Sequence, residues 1–190
     1  MDMFEGVGRR LDEKGGTLIS IGEHSLNGRE RKVLFRNNRN GTFTDVAFVN
    51  GADRVEDGRG LSVFDYDQDG YPDLLVRNYR QPAQLMHNLG GQAHWLQLKL
   101  VGVHSNRDAV GARIRVRTDA GIQTRSVTAG SAYLSGSSLV QHFGLGTARS
   151  AVIAEIDWPS GARSRLENLS VDHRYKVVEG AEHTTIPILD

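Results

Sequence analysis

Apolar and polar residues alternate along much of the chain. The run Trp95-Leu96-Gln97-Leu98-Lys99-Leu100-Val101 sets every second side chain apolar. Successive strand residues point to opposite faces, so this pattern predicts a half-buried strand. Residues 110–118 repeat it, with Ala112, Ile114 and Val116 on one face and Arg113, Arg115 and Arg117 on the other. Residues 122–129, 138–143, 151–158, 162–167 and 175–178 continue the series. Short strands recurring at roughly 8–12 residues predict a sandwich or barrel. Upstream, residues 17–21, 33–36, 42–46, 60–64 and 73–77 read as further strands. Asn37-Asn38-Arg39-Asn40-Gly41 makes a tight turn between two of them, because Asn and Gly tolerate positive φ. Residues 1–16 read as a mobile lead-in and 180–190 as a loose tail.

Between two upstream strands lies Asp65-Tyr66-Asp67-Gln68-Asp69-Gly70-Tyr71-Pro72-Asp73. Its carboxylates stand at loop positions 1, 3, 5 and 9. Like charges held that close need a positive partner to stay ionised. The loop holds no Lys or Arg, so a metal ion is the simplest neutraliser. A hard, all-oxygen ligand set without His or Cys selects Ca²⁺ over Zn²⁺ or Cu²⁺. The expected ligands are Asp65, Asp67, Asp69 and Asp73, with the carbonyl of Tyr71. Position 12 is Val76, where an EF-hand has Glu, and the flanks are strand formers, so the loop is not an EF-hand. Bound Ca²⁺ would lock the hairpin and so fix the inter-domain surface. A solvated acidic turn without an ion is the other reading.

Composition narrows the function. The chain has 190 residues, 22 Gly, 4 Pro and zero formal net charge. A neutral surface gives no reason to expect nucleic acid as a partner. No apolar run is long enough for a membrane span. With no cysteine, disulfides, thiolate metal sites and Cys nucleophiles are excluded. The first residues lack the charged and apolar regions of a signal peptide. The expected location is extracellular or periplasmic if the chain is part of an exported protein, and cytoplasmic if Met1 is the natural start.

Leu34-Phe35-Arg36-Asn37 recurs as Leu85-Met86-His87-Asn88, a period near that of a propeller blade. These stretches, with Asn40-Gly41-Thr42-Phe43-Thr44-Asp45-Val46 and the acidic loop, resemble an FG-GAP or VCBS repeat, the calcium-loop blade of integrin-type β-propellers. The second half resembles the ASPIC/UnbV domain. The matching pieces are residues 105–113, residues 129–138, His142-Phe143-Gly144-Leu145-Gly146 and Trp158-Pro159-Ser160-Gly161. In order and spacing the whole is similar to the C-terminal part of the cartilage-acidic-protein-like family. The resemblance implies calcium binding and, in animals, a largely extracellular setting. UnbV-type members in enediyne pathways imply the alternative of an enzyme or auxiliary factor in natural-product assembly. Family members usually carry several repeats, and a lone blade neither closes a ring nor buries both faces. It would pack on the second domain, on another chain, or on a larger propeller.

The expected architecture is therefore all-β: a propeller-blade-like calcium hairpin unit followed by an antiparallel sandwich- or barrel-like domain. The boundaries read as 1–32 lead-in with one strand, 33–92 repeat, 93–180 ASPIC/UnbV-like domain and 181–190 tail. The expected function is a non-catalytic binding or scaffolding module for a protein or glycan. A possible ligand site comprises Asn106, Arg107, Asp108, Tyr133, Ser135 and His142. Asn106 and Asp108 would supply oxygens, Arg107 an anion fork, and the Tyr133–Ser135 loop hydroxyls for a polar ligand. Against this, Asx turns explain Asn106 and Asp108, local hydroxyl bonds explain the serines, and a backbone bond explains His142. The alternating arginines read as a solvated outer face or as a surface for an acidic partner.

Overall fold

The computed structural model describes residues 8–11, 17–20, 30–131, 133, 135–148, 152–181 and 184–186. Its strands are β1 Gly8–Leu11, β2 Thr17–Ser20, β3 Phe35–Asn37, β4 Phe43–Asp45, β5 Gly58–Phe64, β6 Asp73–Asn78, β7 Gln84–Met86, β8 His94–Val101, β9 Arg113–Thr118, β10 Gly121–Ser126, β11 Gln141–Gly146, β12 Val152–Asp157, β13 Arg163–Leu169, β14 His173–Val178 and β15 Thr184–Ile186. There is no helix among the described residues, and so none long and apolar enough to cross a membrane. The chain is all-β, as the alternation predicts.

Two expectations at the ends need correction. The lead-in holds β1, which pairs with β2 in register Gly8↔Ser20 to Leu11↔Thr17. The tail holds β15, which pairs with β14 at Arg174↔Ile186 and Lys176↔Thr184. Neither segment alternates. Each is a short edge strand placed by its neighbour, and a strand-length signal of that kind is invisible to periodicity.

Contacts divide the described chain into two units. One comprises residues 1–59 and 77–84, the other 60–76 and 85–190. The acidic loop thus falls in the same unit as the strands that follow residue 85. Pairing across β5, β6 and β7 gives their sheet order, and the boundary runs through those strands.

In the second unit two four-stranded sheets, ordered β10-β9-β12-β13 and β11-β8-β14-β15, enclose one core. Leu96, Leu98 and Leu100 of β8 meet Ile114, Val116, Phe143, Val152, Ala154, Ile156 and Val177 there. Alternation places these side chains on inner faces, and their burial drives the sandwich together. Trp158 joins this core and donates from Nε1 to Ser164 Oγ at 2.8 Å. On the outer face Arg115 pairs with Asp157 at 2.9 Å, and Arg165 with Glu155 at 2.7 Å. The arginine row is thus partly internal to a cross-strand charge ladder. One ladder departs from the antiparallel expectation: β14 runs parallel to β8 from His173↔Leu96 to Val178↔Val101. The chain crosses through the other sheet between them, as parallel pairing requires.

β8 is buried on both sides. Besides the leucines, Trp95 and Gln97 are almost wholly covered, yet neither joins the core. The acidic loop lies over that second face, as the contacts below show.

In the first unit Asn38 donates from Nδ2 to the hydroxyls of Thr42 and Thr44, fixing the β3–β4 turn. The register Phe35↔Asp45 and Asn37↔Phe43 sets both phenylalanines on one face of the hairpin. Each is 62% exposed.

Candidate metal centre

β5 ends at Phe64 and β6 starts at Asp73, so the acidic stretch is a strand-to-strand connection. Two left-handed residues, Gln68 (φ 63°) and Gly70 (φ 93°), fold it back on itself. Its aspartates bind the loop's own amides. Asp73 accepts from Tyr66 N at 2.8 Å and Asn88 N at 2.7 Å and is fully buried. Asp69 accepts from Tyr71 N at 2.8 Å, and Asp65 Oδ2 from Gly70 N at 3.1 Å. Asp67 accepts from Asp69 N and faces His87 Nε2 at 2.9 Å.

The carboxylates converge. Oxygens of Asp65, Asp67 and Asp73 lie within 4.8 Å of one another. Ligand oxygens on opposite sides of a Ca²⁺ ion are separated by roughly 4.6–5.2 Å, twice the metal–oxygen distance. The spacing therefore fits one such ion. The Asp65 side chain is only 8% exposed, and its Oδ1 is buried without a hydrogen-bond partner. An orphaned carboxylate oxygen is costly unless a cation satisfies it. Burial pushes the Asp69 carboxyl up; the Tyr71 amide opposes this, and the charges of Asp67, Asp65 and Asp73 add to the rise. Asp67 is held low overall: burial works against it, but the Asp69 amide and His87 prevail. Asp67, Asp69 and His87 form a second convergent group, a nitrogen-containing set less suited to Ca²⁺.

The loop itself contains no Lys or Arg. The fold brings one from outside. Register pairs both His142 of β11 and Arg174 of β14 with Gln97 of β8, so the three form one cross-strand row on the face that carries Trp95. Arg174 Nη2 reaches Asp65 Oδ2 at 3.1 Å, and Gln97 Nε2 donates to the same oxygen at 2.7 Å. His142 Nε2 lies 2.9 Å from the Gly70 carbonyl. A carbonyl only accepts, so Nε2 carries the proton. Burial lowers the His142 pKa, the Gly70 bond and Asp65 pull it up, and Arg125 adds to the fall. The ring is neutral at pH 7. Gln97 and Arg174 were not legible as site residues, because each occupies an ordinary polar position in a strand pattern.

A cavity of about 200 Å³ adjoins the loop, lined by Asp65, Gln97, Ser138, His142 and Arg174 with Val63 and Pro72 among its apolar walls. Of the six residues proposed as a ligand site, His142 alone lines it. Asn106 is spent on its own loop: Nδ2 donates to Val110 O, and Oδ1 accepts from Val110 N, both at 2.8 Å. Arg107 and Asp108 are exposed on that loop. Tyr133 is 75% exposed. Ser135 Oγ accepts from Leu61 N at 2.9 Å and Ser137 Oγ from Val63 N at 3.2 Å, so these hydroxyls pair the edge of β5. A biosynthetic-enzyme reading would need Asn106, Asp108, Tyr133 and His142 around one pocket, and this cavity does not gather them.

Glu179 braces another part of the sandwich and stands in no motif of the sequence. It is buried at the end of β14, and its Oε2 accepts from the amides of Val103, His104 and Ser105 at 2.8, 2.8 and 2.7 Å. Oε1 accepts from the hydroxyls of Ser105 and Ser160. Burial pushes this carboxyl up, but the Ser160 hydroxyl and the Ser105 and Val103 donors outweigh it and hold the pKa at about 2. One carboxylate thus ties the 102–111 loop and the 158–161 turn to β14.

Two segments of the chain match known families. Residues 18–76 match the FG-GAP-like repeat, and residues 102–184 match the family described as ASPIC and UnbV. The two matches follow one another along the chain. Among curated relatives it is similar to cartilage acidic protein 1 of Mus musculus and of Homo sapiens, each 32% identical over 121 residues, 60% of this chain and 18% of theirs. Cartilage acidic protein 1 of Xenopus tropicalis is 40% identical over 53 residues, 27% of this chain and 8% of that protein. The chain spans less than a fifth of the length of these relatives.

Proposed function

We propose that the chain is a calcium-stabilised, non-catalytic binding module, with Ca²⁺ held by Asp65, Asp67 and Asp73 and joined by Asp69 and the Tyr71 carbonyl. The observation that carries this reading is the buried, partnerless Oδ1 of Asp65 among converging carboxylates. A single loop of this kind suits a compartment with millimolar calcium, which supports a setting outside the cytosol. An ion that binds only the folded state raises stability by mass action, about 2.7 kcal/mol at a hundredfold excess over Kd. For a chain of this size that is a rise of roughly 5–10 °C in Tm between chelator and saturating calcium. Asp67→Asn should abolish most of the rise. Identical melting curves with chelator and calcium would end the calcium reading.

We further propose that the partner is a protein surface, namely the Phe35–Phe43 face of a second copy of this chain. Two phenylalanines on one face, each 62% exposed, form an unpaired apolar patch. Light scattering on the isolated chain should show self-association that rises with concentration. Phe35→Ser with Phe43→Ser should return it to a monomer. A wild-type chain monomeric at every concentration would overturn the proposal.

A further inference from the structure

We propose that Arg174 is a resident cation of the acidic loop that weakens its grip on a divalent ion while holding the ion-free loop together. The proposal rests on the calcium reading above and adds to it a residue from the ASPIC/UnbV domain that sets the affinity.

Arg174 is half of a two-residue clamp. Its side chain is 15% exposed, and each guanidinium nitrogen is engaged. Nε donates to Gln97 Oε1 at 2.6 Å, Nη1 to Gln68 Oε1 at 3.1 Å and Nη2 to Asp65 Oδ2 at 3.1 Å. The guanidinium therefore touches the start of the loop and its tip together. It also fixes the Gln97 amide. Oε1 must face the guanidinium, so Nε2 faces Asp65. Asp65 Oδ2 then carries bonds from Gly70, Gln97 and Arg174, and only Oδ1 is left for an ion.

A carboxylate shared between Arg174 on one oxygen and a divalent ion on the other brings three positive charges around one negative one. In the ion-free loop, Arg174 offsets repulsion among Asp65, Asp67, Asp69 and Asp73. In the ion-bound loop it repels the ion across a few ångströms of partly buried space, where screening by water is weak. Arg174 thus stabilises the empty loop more than the filled one, and the difference appears as weaker binding. A guanidinium that served only as a brace between β14 and the loop would act oppositely: its loss would loosen the ligands and weaken binding.

The two roles differ in sign, so one pair of measurements separates them. Calcium alone is titrated calorimetrically into the whole chain, as wild type, Arg174→Gln and Arg174→Lys, at fixed ionic strength. Melting temperatures are taken in chelator. Arg174→Gln is expected to bind calcium about tenfold more tightly, the scale of removing one charge at such a distance, and to melt lower in chelator. Arg174→Lys keeps the charge and should stay near wild-type affinity. Equal or weaker binding by Arg174→Gln, with wild type binding normally, overturns the proposal and leaves the calcium site standing. No binding by wild type overturns both. If Arg174→Gln folds only with calcium present, chelator-triggered ion release is read instead. Release about tenfold slower than wild type supports the proposal, and release as fast or faster overturns it.

Discussion

Glu179→Ala should lower the melting temperature of the C-terminal sandwich by on the order of 10 °C, the largest single-residue effect expected here. The change removes one acceptor from five donors at once: three consecutive amides and two serine hydroxyls. Donors left buried without acceptors are a heavy and non-additive loss. Both the 102–111 loop and the 158–161 turn would come free from β14. Acid should produce a graded version of the same damage. The folded carboxyl titrates at about 2, below its ordinary 4.5. A depressed carboxylate contributes stability that is complete above the unfolded value and is lost as pH falls through the folded one. The loss therefore falls between about pH 4.5 and about pH 2. Glu179→Gln keeps the shape without the charge and should flatten that stretch of the stability curve. Thermal melts by circular dichroism from pH 7 to pH 2 would test both. An alanine variant melting within a degree or two of wild type would show that the carboxylate is incidental.

Gly70→Ala should unseat the acidic loop from the sheet and abolish its calcium response. Two separate obstacles meet at this position. Gly70 has φ 93°, where an L side chain is strained. A β-carbon there would also stand 1.9 Å from Cε2 of Trp95, on a ring that is almost wholly buried. Ring atoms of a packed tryptophan on a central strand cannot yield that far without moving the loop. Strain and overlap together amount to about 2–5 kcal/mol. The displaced loop would uncover Trp95, and the chain has only one other tryptophan, Trp158 in the core. A red-shifted and stronger quench of tryptophan emission by acrylamide reads this directly. Unchanged emission with a retained calcium-dependent Tm rise would refute it.

Much of this architecture follows from local pattern. The alternation of residues 95–101 and 110–118 gives β8 and β9 with the correct inner faces, because a half-buried strand needs nothing but its own period to be recognised. The aspartates of the loop were legible for the same reason: they are near in space because they are near in sequence. What was not legible depends on register between distant segments. Arg174 lies 109 positions from Asp65, and Glu179 lies 74 from Ser105. No spacing rule links such pairs. The row His142–Gln97–Arg174 exists only once β11, β8 and β14 are aligned. The Asn106 and Ser135 motifs were conspicuous for the opposite reason. Polar side chains clustered in sequence also do the routine work of fixing loops, and both are occupied in that way.

The parallel pairing of β14 with β8 bears on how the chain is made. β8 is synthesised early in its domain, while the strand that closes its second ladder follows much later, with Arg174 77 positions beyond its register partner Gln97. Until then the nascent sheet keeps an open edge beside an apolar strand, the condition under which neighbouring chains pair with each other. Such non-local closure is also slow for entropic reasons. Productive expression should therefore depend less on codon-level details of the acidic loop than on sheltering the half-built sheet until β14 arrives.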